Sequence, residues 1–116
     1  MIQLARLNLR TVGAVVVADI SGEIDMSNAT DLRGAIVGSL TNRTAGLVID
    51  LSGVTYLDSA AIHMIYELRE QLANRGLQLR LVVPGEAQTL PALTLSGVPD
   101  AVPTHATAPE AEASIG

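Results

Sequence analysis

Patterning along this chain predicts an α/β fold: a single domain with a mixed β-sheet of four to five strands flanked by helices. Three observations lead there. Apolar runs with the period or density of strands recur at residues 5–9, 12–20, 47–51 and 77–81. Two longer segments between them carry apolar residues at helical spacing, and turn residues separate the elements. With 116 residues, 48% of them hydrophobic, the chain can bury one core and has no length for a second.

The first strand rests on Ala5, Leu7 and Leu9 alternating with Arg6 and Asn8, the period of a half-buried strand. A turn at residues 11–13 follows. Residues 12–20 are dense in valine and too continuous for an exposed edge, which predicts a strand buried on both faces and ending at Ser21-Gly22. After the loop Gly22-Glu23-Ile24-Asp25, either Ser27 or Asn28 can cap a helix in which Ala29, Leu32, Ile36 and Leu40 form the inner stripe. Gly34 and Gly38 weaken that helix, so packing must hold it.

Residues 47–51 read as a short apolar strand. From Ser59 onward Ala61, Met64, Ile65, Leu68 and Leu72 share one helical stripe, His63, Glu67, Glu70 and Asn74 fall outside it, and Gly76 supplies the stop. Leu77, Leu79 and Leu81 alternate with Gln78 and Arg80 in a further strand closed by Pro84-Gly85. A helix is expected near residues 87–96, starting close to Pro91, and an edge strand at 98–103. From Thr104 the chain turns to Ala, Thr, Pro and Glu, which predicts a domain over residues 1–103 and a disordered tail over 104–116. No internal repeat is evident.

Composition narrows the function. Cysteine is absent, which removes thiol chemistry and cysteine-rich zinc sites. The N-terminal stretch has no apolar core behind a basic start and no window has the length of a membrane span, so a cytoplasmic protein with no membrane partner is expected. Net charge is −5 and the basic residues are arginines scattered singly, which gives no footprint for nucleic acid. His63 and His105 lack the neighbours of a triad or metal site, and the glycines at 22 and 53 lack the spacing of a phosphate cradle. The expectation is a non-enzyme with no catalytic, cofactor or metal site. Asp25, Asp50 and Asp58 could still meet at the strand ends, where open α/β sheets place their sites.

The most informative stretch is VIDLSGVTYLDSAAIHMIYELREQL, residues 48–72, where an apolar strand runs through Asp58-Ser59 into a helix. Serine at such a position reads first as an N-cap. Its hydroxyl also stands where phosphorylation would change the local charge steeply.

Together with GEID at residues 22–25, this segment resembles the STAS domain of bacterial anti-sigma factor antagonists, over roughly residues 5–103. The resemblance implies that Ser59 is phosphorylated by a partner that is both an anti-sigma factor and an ATP-dependent serine kinase, and is reset by a phosphatase. The unmodified antagonist would bind that partner and free a sigma factor for stress-response transcription; phosphorylation would break the complex. On this implication the partner-binding surface comprises Asp25, Asp58, Ser59, Ala60, Ile62 and His63. Two residues depart from the family pattern: Ala61 stands where glycine is common, and His63 places a bulky polar group one turn beyond Ser59. A constitutive STAS scaffold, such as the accessory subunit of a lipid-transport complex, and a small-ligand or nucleotide sensor are the competing readings.

Overall fold

A computed structural model describes residues 4–116. The sheet has five strands in the order β1-β2-β3-β4-β5: β1 (Ala5–Val12), β2 (Val15–Ile24), β3 (Gly46–Leu57), β4 (Gln78–Val82) and β5 (Thr104–His105). The β1–β2 pair is antiparallel and the others are parallel, so the predicted mixed sheet is found. Helix α1 (Ala29–Gly38) connects β2 to β3 and α2 (Ser59–Asn74) connects β3 to β4. Three short helices follow, α3 (Leu90–Leu95), α4 (Val98–Ala101) and α5 (Ala108–Ala113).

The main core lies between the sheet and the helices α1 to α4. Ala61, Met64, Ile65, Leu68 and Leu72 of α2 are all buried against Ala18, Ile20, Leu47, Ile49 and Leu51, as the stripe predicts. Burying each large side chain stabilises the fold by about 1.5–3 kcal/mol, which offsets the weak propensity of a glycine-containing α1 nearby. Gly76, at φ +72°, ends the turn after α2.

Four expectations are corrected. The hairpin turn falls at Gly13-Ala14, one step later than predicted, because Val12 pairs with Val15 and so belongs to β1. The apolar strand at residues 47–51 does not stop there: β3 runs on to Leu57 beside β2, with irregularities in register at Asp19/Ser21 and Gly22/Glu23. Ser52-Gly53 therefore belongs to an irregular stretch of strand rather than a turn. On the β2 side of the irregularity Gly22 is required, since at φ +91° a Cβ would run into the Leu4 carbonyl oxygen.

The edge strand expected at residues 98–103 is instead helix α4, with Pro99 in its first turn, where a missing N–H costs nothing. Val98 and Val102, one turn apart, both reach the core. Finally, residues 104–116 are not a mobile tail. Thr104 and His105 pair with Leu81 and Val82, and Ala111 is fully buried on the second face of the sheet among Val15, Val17, Val48 and Val82, with Ala108 and Ile115 at its margin. Gly46 makes room for Ile115, whose Cδ1 would stand 2.8 Å from a Cβ at that position. Polar ties complete the docking: Arg10 pairs with Glu112 at 3.3 Å, and Arg80 Nε donates to Ser114 Oγ at 2.9 Å.

Candidate functional site

The site follows from how β2 and β3 end. Ile24 and Leu57 are register partners in parallel strands, so the chain leaves the sheet side by side at Asp25 and Asp58. The Asp58 N–H donates to the Ile24 carbonyl at 3.3 Å and ties the two exits together. Two loops far apart in sequence thereby form one surface.

Each loop is locally fixed. Asp25 Oδ1 accepts from the Ser27 N–H at 2.9 Å and from the Ser27 hydroxyl, an Asx turn that shapes the loop. Asn28 holds the cap position of α1, but its side chain turns back: Oδ1 accepts from the Asp25 N–H at 3.0 Å, and Nδ2 donates to the Glu23 carbonyl at 2.9 Å. The expected side-chain cap by Ser27 or Asn28 is absent from the hydrogen bonds of the described residues, since both side chains are used to hold the Asp25 loop.

At α2 the capping residue is Asp58, not Ser59. One carboxylate oxygen of Asp58 accepts from the Ala60 N–H at 2.9 Å and the Ala61 N–H at 3.2 Å, a charge well placed against the positive end of the helix. Ser59 becomes the first helical residue and is exposed. With capping done by its neighbour, the serine hydroxyl has no structural duty at the helix start.

Asp25, Asp58, Ser59, Ile62 and His63 therefore lie on or beside one end of the sheet. Ala60 and Ile62 are half-buried and pack against the core, so the most outward groups are Ser59 and His63. The His63 side chain is 76% exposed and its Nε2 lies 3.5 Å from Glu67 Oε1. Asp50 does not join them: it sits within β3, between Asp19 and Val82 on the face that carries Val48, and accepts from the Ser52 N–H at 2.9 Å. Among the described residues no group of three or more His, Cys, Asp or Glu side chains could hold a metal ion. No helix among them is long and apolar enough to cross a membrane.

Two exposed apolar residues escape the sequence reading. Met26 is 83% exposed in the Asp25 loop and Leu95 is 89% exposed on α3. Helix α3 sits beside α2, fastened by the Tyr66 hydroxyl donating to the Ser96 carbonyl at 2.7 Å, while Arg69 Nε donates to the Ala101 carbonyl at 3.0 Å. Leu57, Asp58, Ser59, Ile62, Ala92 and Ser96 line an open hollow of about 270 Å³. A signal for Leu95 exists: it is two residues from buried Leu93, hence on the opposite side of a helix. Met26 stands directly after the motif aspartate, where the core has no use for it.

Comparison with known proteins places this arrangement in a family. The family model for the STAS domain matches residues 6–111, and the chain belongs to that family. Its fold is similar to an anti-sigma factor antagonist from Mycobacterium paratuberculosis, at 29% identity over 96% of this chain and 93% of that one, with a TM-score of 0.83. The Bacillus anti-sigma factor antagonist SpoIIAA in its unphosphorylated form shares 18% identity over 93% of this chain and 94% of that one, TM-score 0.67. A sulfate transporter family protein from Wolinella succinogenes shares 20% identity over 86% and 83% respectively, TM-score 0.73. No curated protein sequence matches.

Proposed function

We propose that this STAS domain is a cytoplasmic anti-sigma factor antagonist that binds an anti-sigma factor with serine kinase activity and is released when Ser59 is phosphorylated. The observation that carries the reading is the division of labour at α2: Asp58 caps the helix, leaving the exposed Ser59 beside it free of a capping role. In the transfer step Ser59 Oγ attacks the γ-phosphorus of ATP held by the kinase. The bond to the β-phosphate oxygen breaks, ADP leaves, and the hydroxyl proton passes to a base on the kinase. A phosphatase returns the hydroxyl by hydrolysis.

Phosphate adds nearly two negative charges beside Asp58 and Asp25, and burying them in an interface would cost both desolvation and like-charge repulsion. The helix N-terminus tolerates an anion, so folding survives while binding is lost. Met26, exposed directly after Asp25, would be an apolar contact beside the charged centre.

The test compares Ser59→Ala and Ser59→Asp for binding to the host's anti-sigma factor. The alanine form should bind like the parent and the aspartate form at least about 100-fold more weakly, with both folded. Undiminished binding of the aspartate form would point to a constitutive scaffold. Saturable heat on titration with nucleotides would point to a ligand sensor.

A further inference from the structure

We propose that His63 is the intramolecular counter-ion of phosphorylated Ser59 and makes the switch respond to pH, an inference that rests on Ser59 being the modified residue. The two residues stand at i and i+4 on α2, neighbours on the helix surface with Cβ atoms about 5–6 Å apart. In the unmodified chain the imidazole is directed at Glu67, one turn further on, and a rotation of the exposed side chain is what brings it to the turn that carries Ser59.

The charges around His63 leave it available. In the unmodified chain its Nε2 faces Glu67 at 3.5 Å on the C-terminal side. Glu67 also has a partner from α1, the Arg33 Nε at 3.8 Å, so the imidazole can turn away without stranding that carboxylate. Asp58 is occupied with the Ala60 and Ala61 amides, and Asp25 lies on the adjoining loop, held to Ser27. The arginines of the two helices are engaged elsewhere, Arg33 with Glu67 and Gln71 and Arg69 with the Ala101 carbonyl. His63 is the cation that α2 itself offers to a phosphate at its first turn.

Its titration sets how much charge phosphorylation adds. With His63 protonated, one of the phosphate's nearly two negative charges is balanced at the surface; with it neutral, both stand uncompensated. Phosphorylation therefore opposes partner binding less in acid than above neutrality.

The test installs phosphoserine at position 59 during translation and follows the His63 Cε1–H resonance by NMR against pH, with and without Glu67→Gln. The His63 midpoint should be higher in the phosphorylated chain than in the unmodified one in both backgrounds. The phosphorus resonance of phosphoserine 59 should titrate at higher pH when His63→Gln removes the cation. A His63 midpoint unmoved by the phosphate, in a chain whose spectrum shows it folded, overturns the pair. Because the phosphate is installed without the host's kinase, that failure is separate from failure of the switch, which would show as no Ser59 phosphate in the host.

Discussion

The two faces of the sheet are covered in different ways. On one, α2 buries Ala61, Met64, Ile65, Leu68 and Leu72; on the other, α5 buries Ala111 alone over a layer of valines, with Arg10 tied to its Glu112 and Arg80 and Gln78 bonded to Ser114 and Gly116 just beyond it. The contrast teaches where this domain can tolerate change. The helix that presents Ser59 is the most deeply anchored in the molecule, so a charge added at its first turn meets a rigid platform. The C-terminal helix is a thin cover that can loosen locally without touching the site.

The largest effect should come from the anchor. Leu68→Ala, at a fully buried position, is expected to cost about 3 kcal/mol in denaturant unfolding, and a near-neutral result would break the contrast between the faces. Ala111→Glu should cost less, about 1–2 kcal/mol, because α5 can lift away instead of burying the charge. Hydrogen exchange should then speed up in α5 and stay unchanged in α2; faster exchange in both would show that the faces are coupled. Asp58→Ala should cost about 1 kcal/mol through the lost cap, whereas Ser59→Ala should leave the midpoint nearly unmoved. If the serine variant is the more damaging, the roles assigned to the two residues are reversed. Arg10→Ala should have the smallest effect, about 0.5 kcal/mol, since its ion pairs with Asp19 and Glu112 are exposed; a loss above 2 kcal/mol would show that polar ties hold α5.

The sequence showed the α2 side plainly because large aliphatic residues at helical spacing have few other uses, and all five stripe residues are buried. It hid the α5 side because alanines in a Pro-, Thr- and Glu-containing stretch look like a solvated tail. A contradiction was nevertheless present in the sequence. A strand at residues 12–20 buried on both faces requires a cover on each, and only the C-terminal segment was left to provide the second. At the site, the register of β2 against β3 was the missing fact. Continuing β3 to Leu57 brings Asp25 beside Asp58 and moves Asp50 away from both. Which of Asp58 and Ser59 caps the helix is a choice of one residue between two good caps, decided by backbone geometry rather than by type. Met26 and Leu95 went unnoticed because apolar residues are read first as core.

The central claim is that the exposed Ser59 is a reversible switch on a fixed platform. Its most direct test is mass spectrometry of the Ser59 peptide from the protein recovered from its own host, before and after stress. The account predicts phosphate on Ser59 with an occupancy that changes between the two conditions. A peptide detected in both and unmodified in both would contradict it and leave a constitutive interaction domain.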